Sequence, residues 1–203
     1  TKSMKRRGPD DEGYVIFVDN LRAIEYFGSD TPINVKRYYE NLKNVENYDA
    51  YKTSYVALGH RRLSILDLSA AAHQPMSDSS KRYWIVFNGE IYNFKNIRDD
   101  LRKLGYKFFS NSDTEVILNS YIEWKENCLE KFNGDFSFVI FDKKEYKAFC
   151  ARDRLGVKPF YYYFNEEIFL FASDIKTIIA SGLYKPKPDS KGLYFSMAFG
   201  MAP

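Results

Sequence analysis

Five short apolar runs, four to six residues each and rich in aromatic and β-branched side chains, constrain this chain more than any other feature. They are Tyr83–Phe87, Phe136–Phe141, Ala148–Ala151, Phe160–Tyr163 and Ile168–Ala172, and each reads as a strand. Asp142-Lys143-Lys144 separates the second from the third, and Asn165-Glu166-Glu167 the fourth from the fifth. Links this short predict antiparallel pairing, because a parallel pair needs a long crossover.

Helical spacing occurs elsewhere. Phe94, Ile97, Leu101 and Leu104 recur on one face, and Gly105 follows as a stop. Ser112-Asp113-Thr114-Glu115 has the form of a capping box and opens a helix carrying Ile117, Leu118, Tyr121 and Ile122 on one stripe. A shorter helix is expected over Ile175–Ala180, ended by Gly182. Meandering strands with helices between them make an α+β layered domain. Asp19–Tyr55, dominated by Asn, Asp, Lys and Tyr, reads as a long surface loop or a pair of short elements. The tail after Gly182, with Pro186, Pro188 and Pro203, reads as a chain leaving the domain.

The 17 Tyr and 17 Phe supply ample core material. Thirty Lys and Arg against 27 Asp and Glu leave a net +3, spread along the chain, which argues against nucleic acid as a partner. No run approaches the roughly 20 apolar residues of a membrane helix, and the opening residues do not form a signal peptide. Two histidines, His60 and His73, and two cysteines, Cys128 and Cys150, are too few and too scattered for a zinc site. A disulfide between the cysteines is open, but buried reduced thiols in a cytoplasmic protein are the preferred reading.

Taken singly, the polar motifs have structural explanations. Asn88-Gly89 is the strongest short hairpin signal. Asp113 suits a helix start, where exposed amides favour a carboxylate. Arg61-Arg62 fits a solvated edge pair, His60 a satisfied histidine under a strand, and Gly156 to Pro159 a tight link. No G-x-S-x-G elbow, phosphate loop or G-x-G-x-x-G is present.

The order of the motifs carries more. Arg7-Gly8-Pro9-Asp10-Asp11-Glu12-Gly13 is followed by Gly59-His60-Arg61-Arg62-Leu63-Ser64-Ile65-Leu66-Asp67 and then by Phe87-Asn88-Gly89-Glu90-Ile91-Tyr92-Asn93. Ser112-Asp113-Thr114-Glu115-Val116-Ile117 and Ala151-Arg152-Asp153-Arg154-Leu155-Gly156-Val157-Lys158-Pro159 come next. From about Met4 onward the chain resembles the glutaminase domain of glutamine-dependent asparagine synthetases, the class II glutamine amidotransferases. The Asp19–Tyr55 stretch is its most divergent part.

The resemblance implies a four-layer αββα sandwich of the N-terminal-nucleophile hydrolase type, two antiparallel sheets between helices, over residues 1–182. Residues 183–203 would be the exit linker toward a synthetase domain absent from this sequence. It implies hydrolysis of L-glutamine to glutamate and ammonia, with the ammonia passed to aspartate at the cost of ATP. Arg62 would clamp the α-carboxylate, with guanidinium geometry suited to a planar anion. Backbone groups of Leu63 and Ile65 would line the same pocket. Asp113 would hold the α-ammonium, its helix-start position keeping it ionised, and Glu90 would lie beside it. Asn88 and Gly89 would form the oxyanion hole, and Arg152, Asp153, Gly156, Lys158 and Pro159 would brace strands near a neighbouring domain. No cofactor or metal is expected on this domain, with ATP and Mg2+ belonging to the synthetase domain.

In the family the nucleophile is an N-terminal cysteine with its own α-amino group as base, at the head of a Cys-Gly-Ile segment. Only six residues precede Arg7 here. Thr1 is not taken for the nucleophile, because it aligns within the helix leading to Arg7. The first strand is expected in the native protein, since a sandwich without it would expose an unpaired edge. The competing readings are a non-catalytic glutamine-binding or scaffold domain, and an amidotransferase for another carboxylate such as a sugar acid. A homodimer is left open.

Overall fold

The computed structural model of the protein describes residues 2–48, 56–64 and 67–200. Two compact units are present, Thr1–Phe160 and Tyr161–Pro203. In the first, β1 (Asp11–Val18), β2 (Arg22–Phe27), β3 (Lys43–Asn44) and β4 (Val56–Arg62) make one sheet in the order β3-β2-β1-β4. β1 runs antiparallel to β2 and β4, with Asp11 opposite Arg62, and β3 runs parallel to β2. A short helix, α1 (Ile33–Tyr38), lies between β2 and β3. The second sheet follows sequence order: β5 (Met76–Ser77), β6 (Tyr83–Ile91), β7 (Gly134–Asp142) and β8 (Lys147–Arg152), all antiparallel.

The sheets meet face to face through aromatic rings. Phe17 of β1 sits edge-on to Trp84 of β6 and Phe141 of β7, at centroid distances of 5.8 and 4.9 Å. Such pairs add about 0.5–1.5 kcal/mol each beyond the area they bury. Alternate residues of β6 and β7 (Tyr83, Ile85, Phe87, Phe136, Phe138, Ile140) turn to the other face and form one core with Ile97 and Leu101 of α2 (Phe94–Lys103) and Val116, Ile117, Leu118 and Tyr121 of α3 (Asp113–Trp124). On the outer face of the first sheet, Ile16, Val18, Ile24 and Tyr26 pack with Tyr14, Val45 and Tyr48. This is the α+β architecture expected.

Of the two readings of Asp19–Tyr55, a surface loop or a pair of short elements, the described part fits short elements, three in number besides 3-10 turns. These are β2, α1 and β3, and β2 buries Ile24 and Tyr26 on one face in the alternation that a half-buried strand requires. The capping box is rearranged. Ser112 Oγ accepts from Thr114 N–H as expected, but the Glu115 carboxylate accepts from Phe109 N–H, Ser110 N–H and Ser110 Oγ–H instead of reaching back to Ser112. Being 2% exposed, Glu115 needs more donors than one cap amide supplies.

The second unit has an antiparallel hairpin of β9 (Tyr161–Phe164) and β10 (Phe169–Ala172), then α4 (Ile175–Ala180) and α5 (Ser190–Phe199). The tail read as a linker thus holds a ten-residue helix. Asp189 caps it by accepting from Lys191 and Gly192 N–H, and Gly200 ends it in the left-handed region.

Candidate active site

One edge of β6 builds the site. The β5 pairing ends at Met76, opposite Ile85. Pro75, which has no N–H to offer a ladder, turns the chain away. From there to the end of the strand, side chains replace the missing neighbour. Phe87 N–H donates to Gln74 Oε1 at 2.7 Å, and Phe87 C=O accepts from His60 Nε2–H at 2.9 Å. Four residues on, Ile91 N–H donates to Asp113 Oδ2 at 3.0 Å.

Amides of alternate strand residues point the same way, so Gly89 N–H, between these two, faces this edge as well. Its partner on β7 agrees: Phe136, opposite Gly89, gives its carbonyl to Asp153 N–H on the far side. Gly89 N–H therefore opens toward a cavity and meets no acceptor among the described residues. Gly89 has φ +147°, and a Cβ there would come within 2.7 Å of Phe136 Cα. Asn88-Gly89 is accordingly not the tip of a hairpin but lies inside a nine-residue strand.

The cavity, about 180 Å³, is lined by Arg62, Leu63, Asn88, Gly89, Glu90 and Asp113, six of the seven residues assigned to the site from sequence. It exceeds the roughly 150 Å³ of an engineered cavity that admits benzene, so a small organic molecule fits. Ile65 lies outside the described residues. His60, Gln74 and Lys158 also line the cavity. The backbone of Lys158 is the brace expected from the sequence: its N–H donates to Asp153 Oδ2 and its C=O accepts from Arg152 Nε–H.

Arg62 donates to the carbonyls of Asp67 and Ser69. The Asp67 carboxylate accepts from Ser69 N–H and, across the cavity rim, from Asn111 N–H, each at 2.8 Å. Arg61 is no solvated edge residue. Its side chain is 2% exposed, and it donates to Gly8 O, Glu12 Oε2 and Asp30 Oδ2, each at 2.8 Å. That network clamps the Arg7–Asp10 segment to the end of β4, where a Cβ on Gly8 would meet Arg61 O at 2.5 Å.

Two titrating groups define the electrostatics. Burial pushes Asp113 up to about 6, against the pull of the Ile91 and Thr114 amides. The helix-start position therefore does not by itself keep this carboxyl fully ionised, because desolvation outweighs it. Burial also pulls His60 down to about 4, so at neutral pH the ring is neutral. Its proton lies on Nε2, since a carbonyl can only accept. Neither cysteine lines the cavity. Cys128 is fully buried, and burial pushes its thiol up to about 12 and that of Cys150 to about 11. Both are free thiols. Among the described residues, no cluster of His, Cys, Asp and Glu is arranged to hold a metal ion, and no helix is long and apolar enough to cross a membrane.

A family model of the glutamine amidotransferase domain matches residues 33–203. Asparagine synthetase [glutamine-hydrolyzing] 3 of Bacillus subtilis is 46% identical over 151 residues, covering 73% of this chain and 24% of that protein. A putative asparagine synthetase [glutamine-hydrolyzing] 2 of Methanocaldococcus jannaschii is 37% identical over 100% of this chain and 36% of its own length. The chain thus spans about a quarter to a third of these curated relatives. Among solved structures, glutamine phosphoribosylpyrophosphate amidotransferase from B. subtilis superposes with a TM-score of 0.66 at 18% identity, over 89% of this chain and 39% of that one. At that identity the likeness shows the fold.

Proposed function

This chain belongs to the glutamine amidotransferase domain family, and on that footing we propose that it hydrolyses L-glutamine to glutamate and ammonia. The ammonia serves an ATP-dependent synthetase domain of the same protein that amidates aspartate. The observation that carries the reading is the single open N–H on the β6 edge, Gly89, set between side chains suited to the two ends of an amino acid. Arg62 pairs with the α-carboxylate, and Asp113, with Glu90 beside it, takes the α-ammonium. Fixing both ends decides where the side-chain amide lands.

In this reading a cysteine thiolate attacks the γ-carbonyl carbon, and the negative oxygen accepts from Gly89 N–H and the Asn88 side-chain amide. Collapse of the adduct expels ammonia and leaves a thioester, which water cleaves to glutamate. Neither Cys128 nor Cys150 takes the part of the attacking thiol, since neither lines the cavity. ATP and Mg2+ belong to the synthetase domain, and no step on this chain runs through them.

Ammonia release from glutamine by native-length protein tests the proposal. Stoichiometric glutamate and ammonia are expected without ATP. A native-length protein that binds glutamine and releases no ammonia would leave only a binding domain.

A further inference from the structure

Gln74 was not singled out by any sequence motif, yet it spends both ends of its amide on the walls of the cavity. It is 6% exposed. Its Oε1 accepts from Phe87 N–H at 2.7 Å, and its Nε2 donates to Thr114 Oγ1 at 3.3 Å. Phe87 precedes Gly89 by two residues on the same strand edge, and Thr114 follows Asp113 at the start of α3.

Continuing the β5–β6 register past Met76 and Ile85 places residue 74 opposite residue 87. Gln74 therefore stands where the next strand residue would, with its side-chain carbonyl substituting for a backbone one. His60 takes the other polar group of Phe87, its carbonyl. The Phe87 backbone is thus fixed at both its N–H and its C=O by side chains, and no strand covers this part of the edge among the described residues.

From this juxtaposition we infer that Gln74 is a positioning residue for glutamine hydrolysis. It sets the place of the Gly89 N–H relative to the Asp113 wall, so that the developing oxyanion meets its donor while both ends of the amino acid are held. The inference rests on the glutaminase reading and adds a residue to it. The two contacts differ in length, which decides where the effect falls. The bond to Phe87 is short and governs the oxyanion donor. The bond to Thr114 is long, and Asp113 keeps its own bond to Ile91 N–H. Loss of Gln74 therefore disturbs the transition state more than the grip on the ground state.

The test is steady-state ammonia release by native-length Gln74→Met, which keeps the volume and removes both polar contacts. Gln74→Asn, an amide one methylene shorter, serves as a second variant should the first not fold. For either, kcat is expected to fall about 10-fold to 100-fold, short of the roughly 10²–10³-fold for outright removal of an oxyanion donor, with KM for glutamine within about threefold. Hydrogen exchange of the Phe87 amide is expected to accelerate in the same variant. An unchanged kcat, or a loss confined to KM, overturns the positioning role. Absence of ammonia release already in the unsubstituted protein overturns the glutaminase reading itself and this role with it, and the wild-type control shows which has failed.

Discussion

Asp113→Asn is expected to weaken glutamine binding and at the same time to stabilise the empty domain. Asp113 is 5% exposed, and burial raises its carboxyl from 3.8 to about 6. Two pH decades at about 1.4 kcal/mol each mean that holding it ionised at pH 7 costs the empty fold about 3 kcal/mol. Asparagine carries no charge and can still accept from Ile91 N–H, and the stronger bond of the ionised form is already contained in the raised value. The net expectation is a gain of about 3 kcal/mol, or several degrees in Tm for a chain of this size.

The sign follows the titration. A raised carboxyl favours the folded state while protonated and penalises it once ionised. The advantage of Asp113→Asn is therefore full above about pH 6, shrinks on acidification and vanishes below the ordinary carboxylate range near 4. Function moves the other way. Losing the charge facing an α-ammonium costs about 1.5–3 kcal/mol, which is roughly 10-fold to 150-fold in KM. In the unsubstituted protein, KM should rise as pH falls through about 6, and this acid limb should be missing from the variant. Thermal melts at pH 7 and pH 4, with KM measured across the same range, check both halves. A variant that melts below wild type at pH 7, or one that retains the acid limb, would refute the reasoning.

Other perturbations probe separate parts of the site. Arg62→Ala should raise the glutamine KM by about 10-fold or more, as for a lost charged hydrogen bond, and unchanged steady-state kinetics would remove Arg62 from the pocket. Gly89→Ala forces a side chain into φ +147° with its Cβ 2.7 Å from Phe136 Cα. Backbone strain alone costs about 1–3 kcal/mol, so a clear drop in Tm together with loss of ammonia release is expected, and wild-type melting would contradict the strand geometry. Cys128 and Cys150, their thiols pushed up to about 12 and 11, should resist a thiol reagent at pH 8 until urea unfolds the chain. Rapid labelling of either in folded protein would contradict their placement.

What the sequence disclosed followed from periodicity and turn chemistry. The stripe of Ile117, Leu118 and Tyr121, the Gly105 stop and the hairpins around Lys143 and Glu166 are local signals, and the structure reproduces them. β1 was legible in part: Tyr14–Val18 is an unbroken aromatic and β-branched run, but Asp11, Glu12 and Gly13, which open the strand, carry no apolar signal. Those acids are buried only because His73 and Arg61 meet them, at 2.7 and 2.8 Å, from far along the chain. β2 carried a legible alternation in Ile24 and Tyr26, masked by the polar residues around it. The site residues were read from ordered motifs, and six of the seven share one cavity. Gln74, by contrast, matters through a bond formed where a strand stops, and Asp113 through a desolvation that no linear pattern reports.

The position of the cavity follows from backbone accounting. A sheet edge inside a protein must give each N–H a partner, and an orphan costs about 1–3 kcal/mol. On β6 the amides of Phe87 and Ile91 are satisfied by Gln74 and Asp113, which leaves Gly89 alone in a ladder that is otherwise complete. A water or a neutral carbonyl fills such a gap adequately. A negative oxygen fills it better, because charge-assisted hydrogen bonds are roughly twice as strong as neutral ones. In the proposed reaction the gap favours the tetrahedral adduct over bound substrate, which is the differential stabilisation that hydrolysis requires. The amide donor belongs to a glycine because β6 and β7 approach too closely at Asp135 and Phe136 for any Cβ on residue 89.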